Sequence, residues 1–148
     1  MLSLLAFGVP SVASTTPIQT GATSTPVIVQ ETTTTSSIET NRQLVENIAK
    51  IYGVDKNVAL HIAEHESKFL ATARGDQKIF ANGNGGCTNK KSPLYGKPAN
   101  ARGIWAITEC WWPEVTDAQA DDPEWSTHWA MKQLSDGNCN LWSTCPLD

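Results

Sequence analysis

Residues 54–69 read VDKNVALHIAEHESKF. Asp55 can accept the first free amides of a helix, and neither Gly nor Pro follows before Phe69. The stretch predicts a helix from Asp55 to about Leu70. Taking Glu66 as zero and about 100° per residue, Ala59 lies about 20° away, Ile62 and Leu70 about 40°, Ala63 and Phe69 about 60°. His61, Glu64 and Lys68 fall about 140–160° away, on the opposite side. Glu66 is therefore expected at the centre of the apolar stripe. A carboxylate there is costly unless it has a partner or a task. Pairing with a Lys or Arg at the core edge is the plain structural reading. The functional one is proton donation: burial disfavours the charged form of a carboxylic acid, and a protonated acid can donate to a leaving oxygen. Glycoside cleavage needs such an acid.

The chain around this helix also reads as mainly helical. Upstream, Thr40-Asn41-Arg42-Gln43 is a capping-box pattern; Leu44, Val45, Ile48, Ala49 and Tyr52 follow at helical spacing, and Gly53 supplies a stop. Downstream, residues 74–103 hold six Gly and two Pro and read as one long loop. GNGG at 83–86 is no phosphate loop, because no Gly-Lys-Ser/Thr follows it. IWAI at 104–107 reads as a short strand or a helix start. Asp122-Pro123 then opens a helix with Trp125, Trp129 and Leu134 on one face, ending near Asp136-Gly137. The expected fold is mainly α with one short β-hairpin.

Composition sets the compartment and the domain count. The 148 residues carry a net charge of −4, which argues against a nucleic-acid partner. Residues 2–9, LSLLAFGV, are too short to span a bilayer, fit the apolar core of a signal peptide, and lack a preceding basic residue. Residues 11–40 contain fifteen Ser or Thr and two acids. Such a stretch buries too little apolar surface to offset its ordering entropy. The expected organisation is a signal-peptide remnant at 1–13, a disordered linker at 14–40 and one folded domain at 41–148. Cys87, Cys110, Cys139 and Cys145 form no CxxC pair, so two disulfides in an oxidising compartment are expected. Three connectivities are possible; Cys87–Cys110 with Cys139–Cys145 is the expected one. Between Arg42 and Arg102 ten Lys or Arg face five acids, whereas from Gly103 onward one Lys faces eight. The two halves are expected to attract each other.

At Glu66-Ser67 the chain resembles the lysozyme-like lytic transglycosylase family, which includes the goose-type lysozyme-like domains. Val54 to Phe69 is similar to its first block, an Asp-initiated helix ending in Glu-Ser. Ala101-Arg102-Gly103-Ile104-Trp105-Ala106-Ile107 is similar to its second, and Asp122-Pro123 with the tryptophan helix to its third. The resemblance spans residues 44–135. It implies a lysozyme-like fold and cleavage of the β-1,4 bond between N-acetylmuramic acid and N-acetylglucosamine in peptidoglycan. It implies Glu66 as general acid and base, Ser67 helping to hold its carboxylate, and Gly103, Ile104, Trp105 and Ile107 lining the sugar cleft. It further implies a monomer secreted or periplasmic in the cell envelope, acting on glycan strands with no cofactor, no metal, no nucleic acid and no integral membrane span. In two places the sequence departs from the family. Ala106 stands where the family has Gln, and NLWSTCPLD at 140–148 stands where it has Tyr-Asn-Ala-Gly, so the tyrosine that supports the Glu has no counterpart.

Three other readings compete. A hydrolytic muramidase would need a second carboxylate, for which Asp76 is the nearest candidate. A non-catalytic wall-binding module would keep the tryptophans and disulfides and leave Glu66 structural. His61-Ile62-Ala63-Glu64-His65 matches the H-x-x-E-H zinc motif of a metallopeptidase, with Glu124 as a possible third ligand. That motif faces away from the apolar stripe. Trp125, Trp129 and Trp142 are expected in the core. Trp105 fits core or cleft equally, and adjacent Trp111 and Trp112 cannot both be buried.

Overall fold

The computed structural model describes residues 30–146, with side chains from Ser37 onward. The expected signal segment at 1–13 and most of the linker lie outside the described residues. The elements run α1 (Gln30–Tyr52), α2 (Lys56–Ser67), β1 (Arg74–Gly75), β2 (Ala101–Arg102), β3 (Ile107–Thr108), α3 (Asp117–Asp121) and α4 (Pro123–Ser135), followed by a 3-10 turn at Cys139–Leu141. The described chain is thus mainly α with a three-stranded antiparallel sheet in the order β1-β2-β3. Among the described residues no helix is long and apolar enough to cross a membrane.

The first helix departs from expectation at its start. α1 begins at Gln30, so residues 30–40, read above as linker, are helical and Thr40 is not a cap. Ile38, in the last turn of this added stretch, packs against the main core. The end is as expected: Gly53 takes φ 66° and the amide of Val54 bonds the Ala49 carbonyl.

α2 is capped by Asp55, whose carboxylate accepts from the Asn57 amide at 2.7 Å. It stops three residues before the expected Leu70. Lys68 and Phe69 both take positive φ, and the Lys68 amide closes back onto the Ala63 and Glu64 carbonyls. This reversal drops Phe69 into the core and leaves Leu70 exposed. Asn41 of α1 fixes the turn by donating to the Phe69 carbonyl at 2.9 Å.

Residues 74–103 are more ordered than a featureless loop. β1 and β2 pair Arg74 with Arg102, and a bridge joins Gly86 to Pro98. Cys87–Cys110 ties this lobe to the segment after β3, and Cys139–Cys145 closes the loop after α4, so both disulfides pair as expected. IWAI is neither one strand nor a helix start. Gly103 to Ala106 form the tight turn between β2 and β3, which buries Ile104 and Trp105 completely.

α1 packs on both α2 and α4, and the main core lies between them. α4 is capped by Asp122 with Pro123 in its first turn, and ends at Ser135, as expected. α3 was not foreseen; it carries a complete Thr116–Gln119 capping box. Among the described residues the basic and acidic halves meet in two ion pairs. Arg74 reaches both carboxylate oxygens of Asp121 at 2.6 Å, and these bonds raise the pKa of its guanidinium. Buried Arg102 bonds the carbonyls of Ile107 and Val115 and the carboxylate of Asp117, lacing β2 to the segment that leads into α3.

Gly103 has φ 72°, and a Cβ there would stand 1.9 Å from the Ala120 carbonyl oxygen. Gly103→Ala is expected to destabilise the disulfide-intact protein by about 2–4 kcal/mol in urea unfolding, from strain plus overlap. Gly53→Ala, with open space around the added Cβ, is expected to cost only about 1 kcal/mol.

Candidate functional site

A groove of about 460 Å³ opens between the turn after β2 and the disulfide-closed loop after α4. Trp105, Ile107, Thr108 and Trp111 line it from the turn after β2 and the segment that follows, Trp129 from α4, and Asn140, Leu141 and Trp142 from the closed loop. The indoles brace each other edge to face. Trp112 and Trp129 have centroids 5.1 Å apart, Trp129 and Trp142 6.2 Å, and Trp105 and Trp142 6.0 Å. Trp105 is held at both ends: its indole N–H donates to Thr127 at 3.1 Å, and its carbonyl accepts from the Trp142 indole at 2.8 Å. Trp111 is 57% exposed and borders the groove.

Glu66 lies on the last turn of α2, half-buried rather than at the centre of a buried stripe. The buried residues of α2 are Ala59, Ile62, Ala63 and Ser67, so the buried face is rotated toward Ser67. The reason is the reversal at Lys68 and Phe69, which takes Phe69 and Leu70 out of helical register. The Glu66 carboxylate accepts from the Thr144 hydroxyl at 2.6 Å, across 78 residues of sequence. Thr144 follows Trp142 by two positions within the Cys139–Cys145 loop. One small covalently closed loop therefore supplies both a groove wall and the hydrogen-bond donor on Glu66.

The residues expected at the site separate into two groups. Trp105 and Ile107 border the groove, with both side chains buried. Gly103 and Ile104 do not: Gly103 is pressed on the Ala120 carbonyl, and Ile104 is wholly in the core. Ser67 is buried and gives its hydroxyl to the Ala63 carbonyl at 3.3 Å, leaving the Glu66 contact to Thr144. Ala106 is on the groove with φ 48°. Among the other tryptophans, Trp142 is buried, and Trp112, Trp125 and Trp129 are half-buried.

His61 and His65 stack on the exposed side of α2 with ring centroids 4.0 Å apart, and the Glu64 carboxylate is taken by Arg42 at 3.0 Å. Among the described residues no group of three or more His, Cys, Asp or Glu is placed to hold a metal ion. His128 meets the Tyr52 hydroxyl at 3.1 Å between α4 and α1.

Thr144, Asn140 and Leu141 escaped the sequence reading. Their signal was the short Cys139–Cys145 spacing, which forces the intervening residues into a tight loop but does not say what that loop faces. No protein-family model, curated protein or solved structure matches the chain.

Thr144→Val keeps the side-chain shape and removes the donor. In a double-mutant cycle with Glu66→Ala, unfolding free energies are expected to show coupling of about 1–2 kcal/mol. Additive losses would mean that the bond does not hold Glu66 in solution.

Proposed function

We propose that this chain cleaves the β-1,4 bond between N-acetylmuramic acid and N-acetylglucosamine in peptidoglycan, as a lysozyme-like lytic transglycosylase. The observation that carries the reading is a half-buried carboxylate, Glu66, oriented by Thr144 from the same small loop that walls a tryptophan groove. Sugar rings stack on indole faces, and exposed Trp111 borders the groove.

In the reaction, protonated Glu66 donates to the glycosidic oxygen as the bond from that oxygen to C1 breaks. The carboxylate then takes the proton of the muramic acid C6 hydroxyl as its oxygen bonds to C1. The product ends in a 1,6-anhydro ring, and neither water nor a second carboxylate is consumed. Thr144 aims the carboxylate. Two disulfides suit an oxidising compartment, in keeping with a secreted or cell-envelope enzyme.

One observation favours a second reading. The groove's own walls carry no carboxylate, which suits a non-catalytic module that holds wall sugars.

Mass spectrometry of purified peptidoglycan digested by the full chain separates these readings. Products ending in 1,6-anhydromuramic acid are expected, with Glu66→Gln lowering the rate by about 10²–10⁴-fold while wall binding persists. Reducing ends, one water heavier, would make the chain a hydrolytic muramidase and direct attention to Asp76. No soluble product from either protein, with both still pelleting on the wall, would leave the binding module.

A further inference from the structure

The lobe between β1 and β2 is not needed to complete the groove, and its surface has its own chemistry. It packs on a small separate core of Cys87, Ala99 and Cys110 with Leu94 beside them. From Gln77 to Thr108 there is no acidic residue, while Lys78, Lys90, Lys91 and Lys97 all stand exposed. The nearest acids in sequence are Glu109, at the base of the lobe, and Asp76, whose backbone is at that base and whose carboxylate reaches to 3.5 Å from where a Cβ on Gly85 would stand. At the base the Asp76 carbonyl accepts from the Asn100 amide, and the Glu109 carboxylate accepts from the Asn100 side chain at 2.6 Å.

Large apolar side chains are exposed among these lysines: Ile79 by 44%, Phe80 by 49% and Tyr95 by 54%. The backbone brings the two stretches together. The Gly86–Pro98 bridge and the Cys87 amide bond to the Lys97 carbonyl place the 95–98 strand of chain against 85–87. The Ile79 side chain lies over Gly86, 3.5 Å from where a Cβ would stand. Lys78 holds its ammonium 5.0 Å from the Phe80 ring centroid. Ile79, Phe80, Lys78, Lys97 and Tyr95 thus belong to one disulfide-braced lobe.

We infer that this lobe docks on an anionic lipid surface, with Phe80, Tyr95 and Ile79 entering the interface and the lysines meeting the headgroup phosphates. Lysines alone would suit any polyanion. A lipid interface offers both partners at once, anionic phosphates for the ammonium groups and an apolar layer that takes Phe80, Tyr95 and Ile79 out of water. The inference does not use Glu66 and stands apart from the proposed reaction.

Flotation of the full chain with vesicles tests it. On phosphatidylcholine containing about 30% phosphatidylglycerol, partitioning is expected to exceed that on pure phosphatidylcholine by about 10-fold at low salt. K78Q/K97Q is expected to lose about 10-fold on the anionic vesicles, and F80S/Y95S a similar factor, with unchanged thermal unfolding. Residues 2–9 are common to all three proteins, so differences among them read the lobe. Equal partitioning on neutral and anionic vesicles would overturn the inference. So would an F80S/Y95S variant that binds as well as the parent, which would mark the lobe as a site for a soluble polyanion, and so would a K78Q/K97Q variant that binds undiminished.

Discussion

The groove depends on the anchoring of Trp105. Its side chain is fully buried, and filling that space with an indole requires a partner for the N–H, which Thr127 of α4 supplies. Its carbonyl in turn holds the indole of Trp142. The turn after β2, helix α4 and the loop after α4 are therefore joined at one residue. Both of these hydrogen bonds are buried, shielded from water.

What Trp105 joins, Cys139–Cys145 holds in place. The loop is short enough that closing it covalently restricts Leu141, Trp142 and Thr144 together. Trp142 faces inward to the tryptophan row and Thr144 reaches Glu66 at the end of α2. The groove and the carboxylate are thus positioned by one element. It also supplies Glu66 with a hydrogen-bond donor, the Thr144 hydroxyl.

The lobe between β1 and β2 follows a different logic. It has its own small core and its own disulfide, and the main core lies outside it. Its base is nonetheless fixed to the body through the β1–β2 pairing and the Arg74–Asp121 and Arg102–Asp117 ion pairs. Charge segregation along the chain is used partly for internal cohesion, at these two pairs. The remaining lysines of the lobe face solvent and lend it a surface character distinct from the acidic C-terminal half.

Local chemistry was legible in the sequence. Asp55 and Asp122 as caps, Gly53 as a stop and the helix that carries Glu66 all follow from residue type and short spacing, because caps and turns are decided within a few residues; of the two disulfides only Cys139–Cys145 closes so short a loop, whereas Cys87–Cys110 spans 23 residues and was one of three open pairings. The start of α1 was not legible, since Ile38 packs against core residues that lie elsewhere in the chain. Nor was the fate of Gly103, Ile104 and Ser67. A sequence motif says which residues lie near a turn, but burial against Ala120 or a bond to Ala63 settles which of them face the groove. Thr144 is the clearest case. Nothing within its own segment points to Glu66, and only the folding of α2 against the closed C-terminal loop brings that hydroxyl and that carboxylate within hydrogen-bonding distance.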